Sequence, residues 1–148
     1  MIRKATLQDI GQLSELFDQY RIFYQKEPDL PAAEQFLTER IENRDSEIFV
    51  AESEGEILGF VQLYPVFSST RMKRYWLLND LFVHENYRGK GFSKQLIEKA
   101  KEIAKSTNAG GILLETGKTN DIGNKLYPGC GFELYDEVNF YEWTNQKD

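Results

Sequence analysis

The chain has 148 residues, 41% of them hydrophobic and 14% aromatic, enough apolar material for one globular domain with its own core. Its 18 basic and 24 acidic side chains leave a net charge of −6, the wrong sign for a general nucleic-acid binder. One cysteine, Cys130, and one histidine, His84, exclude an internal disulfide and a cysteine-rich metal site. No apolar run approaches the roughly 20 residues of a membrane span, and the opening MIRKATLQDI lacks the pattern of a secretory signal. The expectation is a cytoplasmic protein without metal, nucleic-acid or membrane partners, for which a homodimer stays open.

Ile2–Lys4 reads as a short opening strand. Thr6, Leu7, Gln8 and Asp9 fit a capping box ahead of Ile10, Leu13, Leu16, Phe17, Tyr20 and Phe23, whose spacing is helical. A second helix follows Glu27, Pro28 and Asp29, with Pro31 in its first turn and Phe36, Leu37, Arg40 and Ile41 on one side. Glu47–Ser53 and Glu56–Pro65 are β-rich and meet at Glu54 and Gly55, as in a hairpin. Residues 66–73 read as a polar loop. Arg74–His84 (RYWLLNDLFVH) is the longest strand candidate. Its interior is apolar except at Asn79 and Asp80, as in a buried central strand.

Phe92, Leu96, Ile97, Ala100, Ile103 and Ala104 repeat with helical spacing up to a stop at Asn108, Ala109, Gly110 and Gly111. Ile112–Thr116 returns as a strand and Asp121–Tyr127 as a short helix. Phe132–Tyr135 and Val138–Trp143 read as a closing antiparallel pair around Asp136 and Glu137. The predicted fold is a single mixed α/β (α+β) domain, with a central sheet of about six to seven strands flanked by about four helices. The strands at 74–84 and 112–116 should be parallel neighbours across a right-handed crossover.

Charge is unevenly placed. Residues 1–60 hold 6 basic and 13 acidic groups, and residues 132–148 hold 1 and 5, whereas residues 88–131 hold 8 and 4. Within the basic segment, Arg88-Gly89-Lys90-Gly91-Phe92-Ser93 joins the end of a strand to the start of a helix. A helix N-terminus presents N–H groups without internal partners, its dipole favours negative charge, and two glycines let the backbone approach an oxyanion closely. Arg88 and Lys90 add positive charge, so the turn is suited to a phosphate, although a purely structural strand-to-helix turn has the same residues. It fits neither the P-loop nor the six-position GxGxxG pattern.

Arg88, Gly91 and Ser93, followed by Asn120, Gly123, Leu126, Tyr127, Gly131 and Phe132, resemble the GNAT superfamily of N-acetyltransferases. The first three match its pyrophosphate signature, with serine at the last position. The rest match its pattern of Asn, Ala, Leu-Tyr and Gly-Phe, with Gly123 in place of the alanine. The likeness runs from Ile2 to Trp143. It implies acetyl-CoA as cosubstrate, with the pyrophosphate at Arg88, Gly89, Lys90, Gly91, Phe92 and Ser93. It also implies that the pantetheine arm and thioester lie along the backbone of Leu81, Phe82 and Val83, with Asn120 helping to hold the arm. Tyr127 would protonate or hydrogen-bond the departing sulfur.

Asp80 is the candidate base, because a carboxylate inside an apolar strand must reach a partner, a cavity or water; a structural aspartate bonded to nearby backbone is the other reading. The run Trp76–Val83 is similar to the corresponding strand of the spermidine/spermine acetyltransferase branch, with Asn79 standing where that branch has glutamate. The acidic N-terminal part, including Glu27, Asp29 and Glu34, suggests a small cationic primary amine as acceptor. Two further readings stay open: a non-catalytic acyl-CoA binding or sensing module, and an enzyme acting on protein lysines or N-termini.

Overall fold

The computed structural model describes residues 1–146. The chain falls into two compact units, Met1–Glu115 and a second that begins at Thr116. The first unit holds, in order, β1 (Ile2–Lys4), α1 (Ile10–Phe23), α2 (Leu30–Asn43), β2 (Glu47–Ser53), β3 (Glu56–Ser68), β4 (Lys73–Val83), α3 (Phe92–Ser106) and β5 (Ile112–Leu113). The second holds α4 (Asp121–Gly129). Among the described residues no helix is long and apolar enough to cross a membrane.

The sheet order is β1-β2-β3-β4-β5, antiparallel throughout except for β4 and β5, which pair in parallel at Trp76 with Ile112 and Leu77 with Leu113. This is the expected crossover through the long helix. The predicted six to seven strands are corrected to five among the described residues. Phe132–Tyr135 and Val138–Trp143 have the alternation of strands but join no ladder. Alternation specifies which side chains share a face and does not by itself supply a hydrogen-bonding partner. Ile112–Thr116 is likewise shortened to its first two residues.

The predicted loop at 66–73 is half strand. β3 runs on to Ser68 and β4 starts at Lys73, joined by a four-residue turn in which Met72 has φ +53°. Across this ladder the Arg74 guanidinium lies 5.4 Å from the Phe67 ring and 5.2 Å from the Trp76 ring, cation–π contacts that hold a segment whose polarity alone reads as loop. At the β2–β3 hairpin, Glu54 and Gly55 both have positive φ, the geometry that matches the twist of the flanking strands.

Two layers of helix cover the sheet. Leu13, Leu16 and Phe17 of α1 and Ala33 and Leu37 of α2 bury themselves with Ile48, Val50 and Phe60 of the sheet. On α3 the buried positions are Leu96, Ile97, Ala100 and Ala104, the apolar stripe read from the spacing. The Trp76 indole donates to Thr107 Oγ1 at 2.9 Å, just beyond the end of α3. Gly110 follows, where an added Cβ would lie 2.6 Å from the Tyr75 ring, so any larger residue would have to displace that ring as the chain turns into β5.

Candidate active site

Asp80 owes its position to an irregularity in β4. Gln62 faces Asp80 in the ladder and Leu63 faces Leu78, leaving Asn79 as one extra residue on β4, a β-bulge. Trp76 and Leu78 precede the bulge, with Trp76 reaching toward the end of α3. Asp80 beyond it bonds Gln62, which shares a face of β3 with Phe60 and therefore looks toward α1 and α2. Simple alternation from Trp76 would have turned Asp80 the other way.

The carboxylate is 5% exposed and fully engaged. Gln62 Nε2 donates to Oδ2 at 2.8 Å and Asn79 Nδ2 to Oδ1 at 3.0 Å. The Tyr20 phenol, which donates to the Asn79 carbonyl at 3.3 Å, also hydrogen-bonds the carboxylate. Gln62 is fully buried, and its Oε1 accepts from Ser46 Oγ at 2.9 Å. Burial raises the Asp80 carboxyl above the usual carboxylate range, and the hydrogen bonds from Gln62, Tyr20 and Asn79 oppose that rise without cancelling it. Burial together with the Asp80 charge pushes the nearby Tyr64 phenol up to about 12. The pocket therefore holds one carboxylate with neutral donors around it, a group fitted to take up a proton.

Past Leu77, the side of β4 that faces β5 has no strand partner among the described residues. Leu81, Phe82 and Val83 lie on that stretch, so part of their backbone hydrogen-bonding capacity is directed away from β3. Immediately beyond it the chain makes a 3₁₀ turn at Glu85–Tyr87, capped by His84 Nδ1 accepting from the Asn86 N–H at 3.1 Å. Arg88 then folds back: its Nε donates to the Val83 carbonyl at 2.9 Å and its guanidinium lies 5.1 Å from the Phe82 ring. The cationic turn is thus fastened to the end of β4.

Gly89 and Gly91 have φ of +77° and +89°, with open space where a Cβ would stand, so the demand for glycine is conformational rather than steric. Gly91 is the N-cap of α3 and no side chain caps this helix, whereas Asp29 caps α2 and Asn120 caps α4. The first N–H groups of α3, at Phe92 and Ser93, are left for an anion beside Lys90, whose Nζ sits 5.4 Å from the Tyr87 ring. These residues fit a CoA pyrophosphate.

In the second unit, Asn120 Oδ1 accepts from the Gly123 N–H at 3.1 Å and its Nδ2 donates to Thr116 Oγ1 at 2.9 Å. An alanine at Gly123 would set its Cβ 2.7 Å from Asn120 Nδ2 and 3.1 Å from Thr116 Oγ1, which accounts for glycine where the family pattern has alanine. Tyr127 lies in the last turn of α4, half-buried, its ring edge-on to Phe132 at 5.9 Å. Cys130 is in no disulfide.

Within the first unit the structure brings together Asp80, the Leu81–Val83 edge and the Arg88–Ser93 turn along one strand and its continuation; Asn120 and Tyr127 belong to the second unit, at the start of α4 and on it. The acidic residues proposed to attract an amine are partly committed elsewhere. Asp29 accepts from the Ala32 N–H through its carboxylate, whereas Glu27 accepts from Arg21 through its backbone carbonyl and Glu34 lines a surface cleft with Glu39 and Glu42. Sequence reasoning missed Tyr20, Gln62 and Ser46. Gln62 was signalled by being the one polar side chain in the apolar run Ile57–Tyr64, opposite the strand that carries Asp80.

The family model described as the acetyltransferase (GNAT) family matches residues 12–132. The uncharacterized N-acetyltransferase YhfO of Bacillus subtilis (strain 168) is 45% identical over 132 residues, 89% of each chain. A probable acetyltransferase of Haemophilus influenzae is 31% identical over 140 residues, 94% of each chain. A crystal structure of a probable acetyltransferase superposes with a TM-score of 0.94 at 33% identity, covering 100% of this chain and 99% of that one. With the open edge of β4 and an uncapped, glycine-bent helix start beside it, the chain is an acetyltransferase of the GNAT family.

Proposed function

We propose that the protein, acting as one domain over residues 1–148, moves the acetyl group of acetyl-CoA to a small cationic primary amine by direct attack. The observation that carries this reading is the buried Asp80 carboxylate beside the unpartnered stretch of β4. When bound, the thioester supplies an activated acyl carbon. Along Leu81, Phe82 and Val83, the backbone N–H groups that point away from β3 meet its oxygen, the fixed donors that favour charge developing there. Asp80 takes the proton of the incoming ammonium, directly or through a water, because only the neutral amine has a lone pair to attack with.

As the new C–N bond forms, the C–S bond breaks and Tyr127 gives its phenolic proton to the sulfur; the nitrogen sheds its second proton, which restores the phenol, leaving an amide and free CoA. Arg88, Lys90 and the first turn of α3 hold the pyrophosphate, and Asn120 steadies the arm. The likeness of Trp76–Val83 to the polyamine branch does not extend the proposal to polyamines, since the amide of Asn79 supplies a donor to Asp80 in place of a second carboxylate.

The test is release of free CoA on incubation of the full chain with acetyl-CoA and a panel of primary amines, amino acids and peptides. Turnover with small amines and none in their absence supports the proposal. Turnover confined to peptides, or none with any acceptor, overturns it.

A further inference from the structure

We propose that the acceptor carries a flat apolar or aromatic body on its single ammonium group, and that Phe23, Tyr24 and Phe82 form the wall on which this body lies. The inference rests on the acetyl-transfer reading and names the substrate class of the same site. α1 ends in a chain of touching rings. Tyr20 meets Tyr24 edge-on at 5.2 Å, Tyr24 meets Phe23 edge-on at 5.2 Å, and Phe82 lies 5.7 Å from Tyr20 and 6.3 Å from Phe23. The inner end of this chain belongs to the core, where Phe60 is wholly buried and Phe17 nearly so. Its outer end does not: Phe23 is 57% and Tyr24 49% exposed.

Two features say what this surface receives. Tyr20 ties the rings to the bulge, bonding both the Asn79 carbonyl and the Asp80 carboxylate, so the wall ends on one buried anion. An aromatic face ending at a carboxylate suits an amine with one charge at its head and an apolar body behind it, the ring faces attracting the cation as well. The nearest fixed charges disfavour a polycation: Asp18 is paired with Arg21, and the Arg88 guanidinium lies over Phe82, so a second ammonium group beside Phe82 would meet a fixed cation.

Calorimetric titration of the full chain, saturated with CoA, with 2-phenylethylamine, butylamine, spermidine and 2-phenylethanol tests this. The amine with the ring should bind roughly 10-fold more tightly than butylamine or spermidine, and more tightly than the uncharged alcohol. Phe23→Ala and Tyr24→Ala should each weaken 2-phenylethylamine by roughly 3-fold to 10-fold while leaving CoA and butylamine unchanged. Should one variant fail to fold, the other carries the test. Spermidine or butylamine binding as tightly as 2-phenylethylamine, or variants that weaken every ligand alike, would overturn the inference.

Free CoA recorded on the same panel separates the two readings. The predicted binding pattern without any CoA release removes acetyl transfer to amines and leaves the aromatic site standing. Release with butylamine or spermidine and none with 2-phenylethylamine removes the aromatic site and leaves the transfer reading standing.

Discussion

Gln62 Nε2 donates to Asp80 Oδ2 at 2.8 Å across the β3–β4 ladder, and Ser46 Oγ donates to the other end of the same amide; because the ionised carboxylate only accepts, it sets the orientation of Gln62. The proposed base is therefore held by a buried neutral group fixed at both ends. That arrangement lets its proton affinity be changed without removing the carboxylate.

Gln62→Leu takes away the largest of the hydrogen bonds that lower the Asp80 carboxyl, while burial continues to raise it. The acid limb of the pH–rate profile should move to higher pH, with turnover above that limb largely kept. Leaving Ser46 and one carboxylate oxygen without a partner should cost about 1–3 kcal/mol of stability. A limb that stays in place in a folded Gln62→Leu enzyme would separate Asp80 from proton transfer.

Asp80→Asn should lower turnover at neutral pH by roughly 100-fold to 10,000-fold, recovering toward higher pH as free amine becomes available without a base. Stability should move the other way. The folded-state carboxyl titrates above its unfolded value, so the ionised form costs stability once the pH has risen through the folded value, and the neutral amide relieves that cost. Thermal midpoints at pH 7.5 equal to or above wild type, paired with the rate loss, are the expected result.

Gly91→Asp forces a side chain into a backbone conformation with φ +89° and sets a negative charge at the start of α3. Affinity for CoA, read by calorimetry, should fall at least roughly 10-fold, the equivalent of about 1.4 kcal/mol. An unchanged affinity in a folded variant would move the phosphate site elsewhere.

Tyr127→Phe should bind CoA as wild type does and turn over roughly 100-fold to 10,000-fold more slowly, the range for a lost general acid. The comparison belongs under conditions where chemistry limits the rate. Wild-type turnover there would reduce Tyr127 to its packing against Phe132.

Arg3 joins Asp9 and Glu52 at 2.8 Å each, tying β1 to the start of α1 and to β2. The guanidinium holds both carboxyls below their usual range. Such pairs stabilise the fold above the unfolded carboxyl pKa and lose that contribution as the pH falls through the lower folded values. Asp9→Asn should cost roughly 1–2 kcal/mol near neutrality. The gap from wild type should close as urea unfolding is repeated down to pH 2; a gap independent of pH would show that the charges contribute nothing.

Helices and core strands were readable because their apolar pattern coincides with what they bury: the α3 stripe is periodic, the strands at Ile48–Ala51 and Ile57–Val61 are apolar runs buried without interruption, and both patterns are properties of the chain itself. The strand ends were not. Whether Val66–Ser68 continues β3 depends on Arg74 and Phe67 meeting across the ladder, and whether 132–143 pairs depends on a partner edge, neither of which one segment encodes. At the site, Asp80 and the glycine turn stood out as chemical exceptions in their surroundings, whereas the Leu81–Val83 stretch was reached only through the family resemblance. Tyr20 did not, because an aromatic on an amphipathic helix looks like any other core residue. Its polar end matters only through the bulge at Asn79, which counting along a single strand cannot reveal.

That bulge makes the identity of the working face a matter of parity. Between Leu78 and Asp80 the chain spends one residue more than its partner, and the surplus decides which layer of helices the carboxylate addresses. Replacing a side chain here changes chemistry by degrees. Losing or gaining a single residue would leave the same sequence of elements and nearly the same ladder, yet would turn the acid toward α3 and away from Tyr20. Asp80 itself aside, this short stretch should therefore tolerate substitution over evolutionary time more readily than any change in length.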